Sequence, residues 1–441
     1  MSDYLQNAAL QRMAKLLNLP LPSPPILKRN RAALSDVELI HKRVAVVGRE
    51  NYFLNELQSV FHKITEHATI YDDIIDGLVM SCVGMETIED LEDLYTTIKN
   101  TVSKIAANGR VIIITRVDNT STLSYTVQCA IDGFSRALSK EIGGKKGVTV
   151  NTLKITNENI MPLEVAHAAH FFLSEKSPFI TGQVVLLNNA FNPVFNSCEQ
   201  LLKDKVAIVT GGARGIGAAA ARVLRREGAK VIIVDIPSAQ QDAELLAQEL
   251  EGELILEDIT EDKAVANIQQ HIINKYGGLD ILVNNAGITS DKTIVKMSID
   301  KWRAVLNVNL KATINLTDAF LEKGFNKGAK VVGLSSISGI AGNVGQTNYA
   351  LSKSGMIAYM NALVTKNSDI YANAVAPGFI ETKMTEQLPF FIKEGGRRLS
   401  TLKQGGYPED VAELIGFLCS PMSDAINGQY IRVCGGSMIG A

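Results

Sequence analysis

Tyr349 and Lys353 lie four residues apart in a stretch that reads as helix, Tyr349-Ala350-Leu351-Ser352-Lys353, so both side chains project from one face. A phenol beside an ammonium suits proton donation to a carbonyl oxygen. Free tyrosine, with a pKa of about 10, donates reluctantly near neutrality, and adjacent positive charge is expected to lower that value. Upstream, Ser336 ends the apolar run Val331-Val332-Gly333-Leu334, where a hydroxyl can hydrogen-bond the oxygen on which charge develops. A lone Tyr-x-x-x-Lys is an ordinary helix face, so this reading depends on its company.

That company is a dinucleotide site. Thr210-Gly211-Gly212-Ala213-Arg214-Gly215-Ile216-Gly217 follows the strand-like run Val206–Val209 and opens a helix. Gly211, Gly215 and Gly217 allow a tight turn and close backbone approach to a pyrophosphate, and the helix N-terminus stabilises its charge. Asp235 ends the next strand, where a carboxylate takes the hydroxyls of the adenosine ribose. It would repel a 2′-phosphate, whereas Arg214 in the glycine loop would attract one. Asp235 faces the ribose directly, so NAD(H) is preferred, with NADP(H) possible. Asn284-Asn285-Ala286-Gly287 closes another strand with residues that let a cofactor pass, and Asp258 stands where an adenine contact is expected.

The elements that position these groups alternate strand with helix. Val206–Val209, Val231–Val234, Ile281–Val283, Val331–Leu334 and Tyr371–Val375 are apolar on both faces, as a sheet covered by helices on each side requires. The first half repeats the plan. Arg43–Gly48 echoes Lys205–Thr210, and residues 164–183 align without a gap on 410–429. Val165, Ala166, Phe171, Ser174, Ser177, Ile180, Gly182 and Gln183 recur there as Val411, Ala412, Phe417, Ser420, Ser423, Ile426, Gly428 and Gln429. Duplication explains this. The first strand and Gly77-Leu78-Val79 are too close together for a full copy, so at least one strand–helix unit is missing from the first half. The expected fold is α/β, with two doubly wound Rossmann-like parallel sheets, the first shortened and flavodoxin-like. The expected domains are an N-terminal docking arm (1–40), a degenerate domain (41–193) and a catalytic domain (203–441).

With TGxxxGxG, NNAG and Ser…Tyr-x-x-x-Lys in order, the second half resembles the short-chain dehydrogenases/reductases over essentially all of 203–441. The resemblance implies that Asn309 is a fourth catalytic residue, holding a water in a proton relay to Lys353. It also implies that Pro377-Gly378-Phe379-Ile380-Glu381-Thr382 meets the nicotinamide carboxamide, with Ile380 and Thr382 as contacts. Gly342–Tyr349 and Pro377–Thr382 look most like 3-oxoacyl-[acyl-carrier-protein] reductases. The extra first half resembles their high-molecular-weight subgroup, in which NADH is commonly preferred. The implied substrate is a 3-oxoacyl thioester on acyl-carrier protein or coenzyme A. The alternatives are an NAD-dependent 3-hydroxyacyl-CoA dehydrogenase and a non-catalytic dinucleotide-binding sensor. Single-domain relatives of this kind are usually tetramers. A first half that occupies one of their contact surfaces leaves a homodimer as the expected state.

The first half has lost the motifs. Ser124 and Gln128 stand at the tyrosine and lysine positions, Arg116 at that of Ser336, and Met80-Ser81-Cys82-Val83 at that of the NNAG run. Gly48-Arg49-Glu50-Asn51 offers side chains where a phosphate needs glycine, and Glu50 would add negative charge. His167 and His170 share a helix face but lack a third ligand, so no metal is expected. Arg397, Arg398 and Lys403 form either a solvated charge run or a basic patch for an acidic carrier.

A net charge of −2 gives no basic surplus for nucleic acid, and no apolar run reaches the ~20 residues of a membrane helix. The five cysteines are scattered without a CxxC pair, which argues against disulfides or structural zinc and for a cytoplasmic setting. Near the start, Leu5, Ala9, Met13, Leu16 and Leu17 recur at helical spacing before Pro20, Pro22, Pro24 and Pro25, which reads as an arm that packs on the body rather than a transit peptide.

Overall fold

The computed structural model describes residues 24–35, 38–49, 51–117, 121–190, 199–386 and 389–437. The amphipathic stretch at residues 5–17, Glu50 and Cys198 lie outside them. Every sheet pairing is parallel. The first sheet holds β1 (Arg43–Gly48), β2 (Glu66–Ala68), β3 (Ile75–Ser81), β4 (Ile105–Arg116), β5 (Thr149–Ile155) and β6 (Val184–Leu187), in the order β2-β1-β3-β4-β5-β6. The second holds β7 (Val206–Thr210), β8 (Lys230–Asp235), β9 (Glu253–Leu256), β10 (Leu279–Asn284), β11 (Phe325–Leu334), β12 (Ile370–Pro377) and β13 (Tyr430–Val433), in the order β13-β12-β11-β10-β7-β8-β9.

The second order is the doubly wound Rossmann arrangement, and the first is the flavodoxin one. Laid side by side, the orders identify the missing unit. Among the described residues the first sheet has no counterpart of β9, and no helix separates β2 from β3.

Strand faces correct one sequence alignment. Val44 and Val46 face the core shared by both halves, as do Ala207 and Val209, whereas Ala45, Val206 and Ile208 face the opposite layers. Side chains alternate along a strand, so Val44 corresponds to Ala207 rather than Val206. Gly48 then corresponds to Gly211, and Asn51, which caps the Tyr52–Ile64 helix, to Arg214, which precedes the Gly215–Arg226 helix.

The halves share one hydrophobic core. Phe171 and Phe417, equivalent by the duplication, stack on each other at 4.4 Å with 6° between ring planes. The sheet edges meet with the same reciprocity. Gln429 exchanges side-chain bonds of 2.8 and 2.7 Å with the backbone of Leu186, while Gln183 accepts from the backbone of Arg432, the counterpart of Leu186. Asn189 donates to the Ala425 carbonyl as Gly435 donates to that of Phe179. The halves are thus related by a pseudo-two-fold axis, like partners in an isologous dimer.

Residues 24–35 cross this junction without regular secondary structure. Leu27 and Leu34 are buried, Arg29 forms a two-pronged ion pair with Asp410 (2.7 and 2.9 Å), and the Leu34 amide donates to Glu227. Among the described residues no helix is long and apolar enough to cross a membrane, and no group of three or more potential ligands could hold a metal.

Candidate active site

The glycine loop joins β7 to the Gly215–Arg226 helix at the point where strand order reverses, between β7 and β10. Gly211 (φ +61°) has no room for a side chain, because a Cβ would stand 2.8 Å from the Ala286 Cα. At Gly217 a Cβ would lie 2.3 Å from the Gly211 carbonyl. Gly215 (φ +57°) is different: a Cβ there would meet nothing within 4 Å, so its bare backbone faces an open cradle. Arg214 makes no side-chain cap, which leaves the first helical amides available to an anion. These features fit a dinucleotide pyrophosphate.

Asn285 pins the loop by donating from Nδ2 to the carbonyls of Thr210 (3.0 Å) and Gly211 (2.8 Å). Thr210 Oγ accepts the amides of Asn285 and Ala286, both at 3.1 Å. Each Asp235 oxygen accepts one backbone amide, from Ala213 and Ile236 (both 2.9 Å), which leaves carboxylate lone pairs for a ribose. Arg214 is exposed, with Nε 3.5 Å from Asp242. Asp258 follows β9 at the same sheet end, its carboxylate accepting from the Thr260 amide and hydroxyl.

Ser336 caps the short Ile337–Ala341 helix beyond β11, accepting the Ser338 amide at 3.1 Å, and acts on the Tyr349 phenol to lower its pKa. The Thr347–Lys366 helix carries Tyr349 and Lys353 along one face, with Lys353 Nζ 5.7 Å from the tyrosine ring centre. Lys353 is buried and donates to the Leu334 carbonyl at 2.7 Å. Asn309 lies in a π-helical turn (Asn307–Lys311) between two α-helical segments, an irregularity that often marks functional sites. Its amide is committed on both sides: Oδ1 accepts from the Ile288 amide, while Nδ2 donates to the Ile288 carbonyl and Ser352 Oγ. Asn309 Oδ1 and Lys353 Nζ each lie 3.4 Å from where a Gly287 Cβ would be, so the Asn285–Gly287 run passes directly beside both groups.

The electrostatics differ from the expectation in one respect. Burial pushes the Lys353 ammonium down to about 8. The Tyr349 phenol is raised, not lowered, chiefly by burial and further by Asp291, against the opposing hydrogen bond from Ser336. Within the protein alone, desolvation of the phenolate outweighs any help from its neighbours.

Pro377 ends β12, and Gly378 packs so tightly on Cys434 that a Cβ would stand 2.7 Å from the cysteine Cβ. Ile380 is buried and forms a parallel bridge with Gly406, while Thr382 exchanges hydrogen bonds with Thr385. The segment beyond carries Arg397, Arg398 and Lys403. Arg397 is paired with Glu381 (2.6 and 3.0 Å) and Glu394 (2.9 Å), and Arg398 with Glu394 (3.2 Å), so acidic side chains of the protein already answer both charges.

The sequence motifs thus converge at one end of the second sheet. Asp291 and the locking role of Thr210 escaped them. Asp291 belongs to no motif, and Thr210 stands in the glycine loop as an apparent strand terminus.

In the first half, Asn51 Oδ1 accepts the Leu54 amide at 2.8 Å, so the helix N-terminus equivalent to the cradle is already capped. Gln128, at the lysine position, donates to the Cys82 and Met85 carbonyls and accepts from the Arg116 amide. His167 is pushed down to about 4 by burial.

Fold and site together define a nicotinamide-linked oxidoreductase of the short-chain type. Residues 211–438, just over half the chain, match the family model described as enoyl-(acyl carrier protein) reductase, and the chain belongs to this short-chain dehydrogenase/reductase family. The second half is 40% identical over 246 residues to the 3-oxoacyl-[acyl-carrier-protein] reductase FabG of Thermotoga maritima, covering 54% of this chain and 99% of that one. The Pseudomonas aeruginosa enzyme of the same name is 40% identical over 242 residues (53% and 98%). The acetoacetyl-CoA reductase of Synechocystis is 38% identical over 238 residues (53% and 96%).

Proposed function

We propose that the protein reduces a 3-oxoacyl thioester, on acyl-carrier protein or coenzyme A, to the 3-hydroxyacyl thioester with NADH. The observation that carries this reading is the convergence of Ser336, Tyr349 and the buried Lys353, whose ammonium reaches Gly287 in the run that packs on the glycine loop. When bound, the dinucleotide supplies a hydride from its nicotinamide C4 and, once oxidised, a positive charge near the Tyr349 hydroxyl. Tyr349 donates its proton to the C3 oxygen, and Ser336 hydrogen-bonds that oxygen as charge develops. Lys353 returns a proton to Tyr349. Asn309, whose own amide is committed, holds the relay water through backbone carbonyls at the π-turn.

Gly211, Arg214, Gly215, Ile216 and Gly217 take the pyrophosphate, Asp235 the ribose and Asp258 the adenine. Asn285, Ala286 and Gly287 flank the cofactor's path, and Pro377, Gly378, Ile380 and Thr382 hold its nicotinamide end. Asp235 supports NADH over NADPH. Residues 203–441 form the catalytic domain, 41–193 a domain without a dinucleotide site, and 1–40 an N-terminal docking arm. The protein acts in the cytoplasm as a homodimer. Following NADH and NADPH oxidation with acetoacetyl-CoA tests the reading. No turnover with either cofactor overturns the reductase, and a preference for NADPH overturns the role of Asp235.

A further inference from the structure

We propose that Phe179, contributed by the first half, is a positioning residue for the nicotinamide end of the cofactor site. This rests on the reading that Pro377–Thr382 holds the nicotinamide. Phe179 is buried, and its ring fills the space that side chains at Gly406 and Gly435 would need. A Cβ on Gly406 would stand 2.5 Å from the ring, and one on Gly435 would stand 2.6 Å from its other edge. Gly406 is the bridge partner of Ile380 and exchanges backbone hydrogen bonds with Phe379 and Glu381. Gly435 follows Cys434, on which Gly378 rests. One ring therefore backs the cofactor segment at both Gly378 and Ile380.

The pseudo-two-fold relation makes the point sharper. Its backbone contacts run in both directions, Gly435 to Phe179 and Asn189 to Ala425, but the counterpart of Phe179 is Ala425. Only the catalytic half receives a ring. Further support comes from the segment at residues 24–35, where Gln404 donates to the Pro25 carbonyl and Arg29 lies over the Tyr407 ring. The first half is thereby a brace for the reaction site of the second.

The test uses the full chain and compares the affinity of NADH with that of ADP-ribose, which lacks the nicotinamide. If the wild type prefers NADPH, the pair is NADPH and 2′-phospho-ADP-ribose. Phe179→Ala is expected to weaken NADH on the order of tenfold while leaving ADP-ribose within about twofold. Phe179→Leu, which keeps most of the volume, should show the same split in smaller measure and serves if the alanine variant does not fold. Phe171→Ala empties a neighbouring site in the same junction, and should lower stability without separating the two ligands. Equal weakening of both ligands in the Phe179 variants, or none, overturns this inference alone. A wild type that binds neither ligand overturns the functional reading with it.

Discussion

Each residue of the candidate site is asked for a separable contribution. Tyr349→Phe should cut turnover far more than tenfold, beyond about 1.4 kcal/mol of transition-state stabilisation, with NADH affinity within about twofold. Retention of a tenth of the wild-type rate would remove the tyrosine from its role. Lys353 carries a stability prediction of opposite sign. Its folded pKa of about 8 lies below the ordinary 10.5, so between those values the unfolded chain holds the proton more tightly and stability rises with pH. At neutral pH the buried ammonium therefore carries its full penalty, on the order of 3 kcal/mol. Lys353→Met relieves that penalty and leaves the Leu334 carbonyl without its donor, at a cost of about 1–2 kcal/mol. The variant should melt slightly higher at pH 7 while losing activity, and a lower melting temperature would show that the hydrogen bond outweighs the penalty. Asp235→Ser should raise the NADPH-to-NADH ratio of kcat/KM at least about tenfold, because a like charge beside the 2′-phosphate is gone.

Among the elements, the two strand–loop–helix units built on β1 and β7 make the most direct comparison. They share length and register, yet one ends in an uncapped helix behind glycine and the other in a helix capped by Asn51. Asn51→Ala should cost about 1 kcal/mol in urea unfolding of the first half without creating a ligand site. Calorimetric titration of the full chain with NADH should accordingly find one dinucleotide per chain, and a second equivalent would mean that the first half binds as well. The same units show what was legible in the sequence. The glycine loop, Asp235 and the Tyr-x-x-x-Lys helix could be read because each combines a residue type with a strand or helix boundary. β9 was not read, since Glu253–Leu256 is short and only partly buried. The one-residue shift of β1 against β7 was hidden because both runs are apolar on both faces, and only the opposed core layers distinguish the registers.

For the whole molecule, the stacked Phe171 and Phe417 and the reciprocal edge contacts of β6 and β13 put inside one chain a contact that separate copies of a smaller enzyme would make between chains. Residues 200–441 alone would expose that surface. They should then associate through it, giving more chains per particle in light scattering than the full-length protein. Equal chain counts would mean that the surface does not drive self-association. There is a consequence for how the enzyme tolerates dilution. Encounter between separate subunits weakens with falling concentration, whereas a covalently tethered partner keeps a fixed, high local concentration. The ring beneath Gly406 and Gly435 is thus supplied in a fixed one-to-one ratio with the site it supports, however few molecules a cell contains.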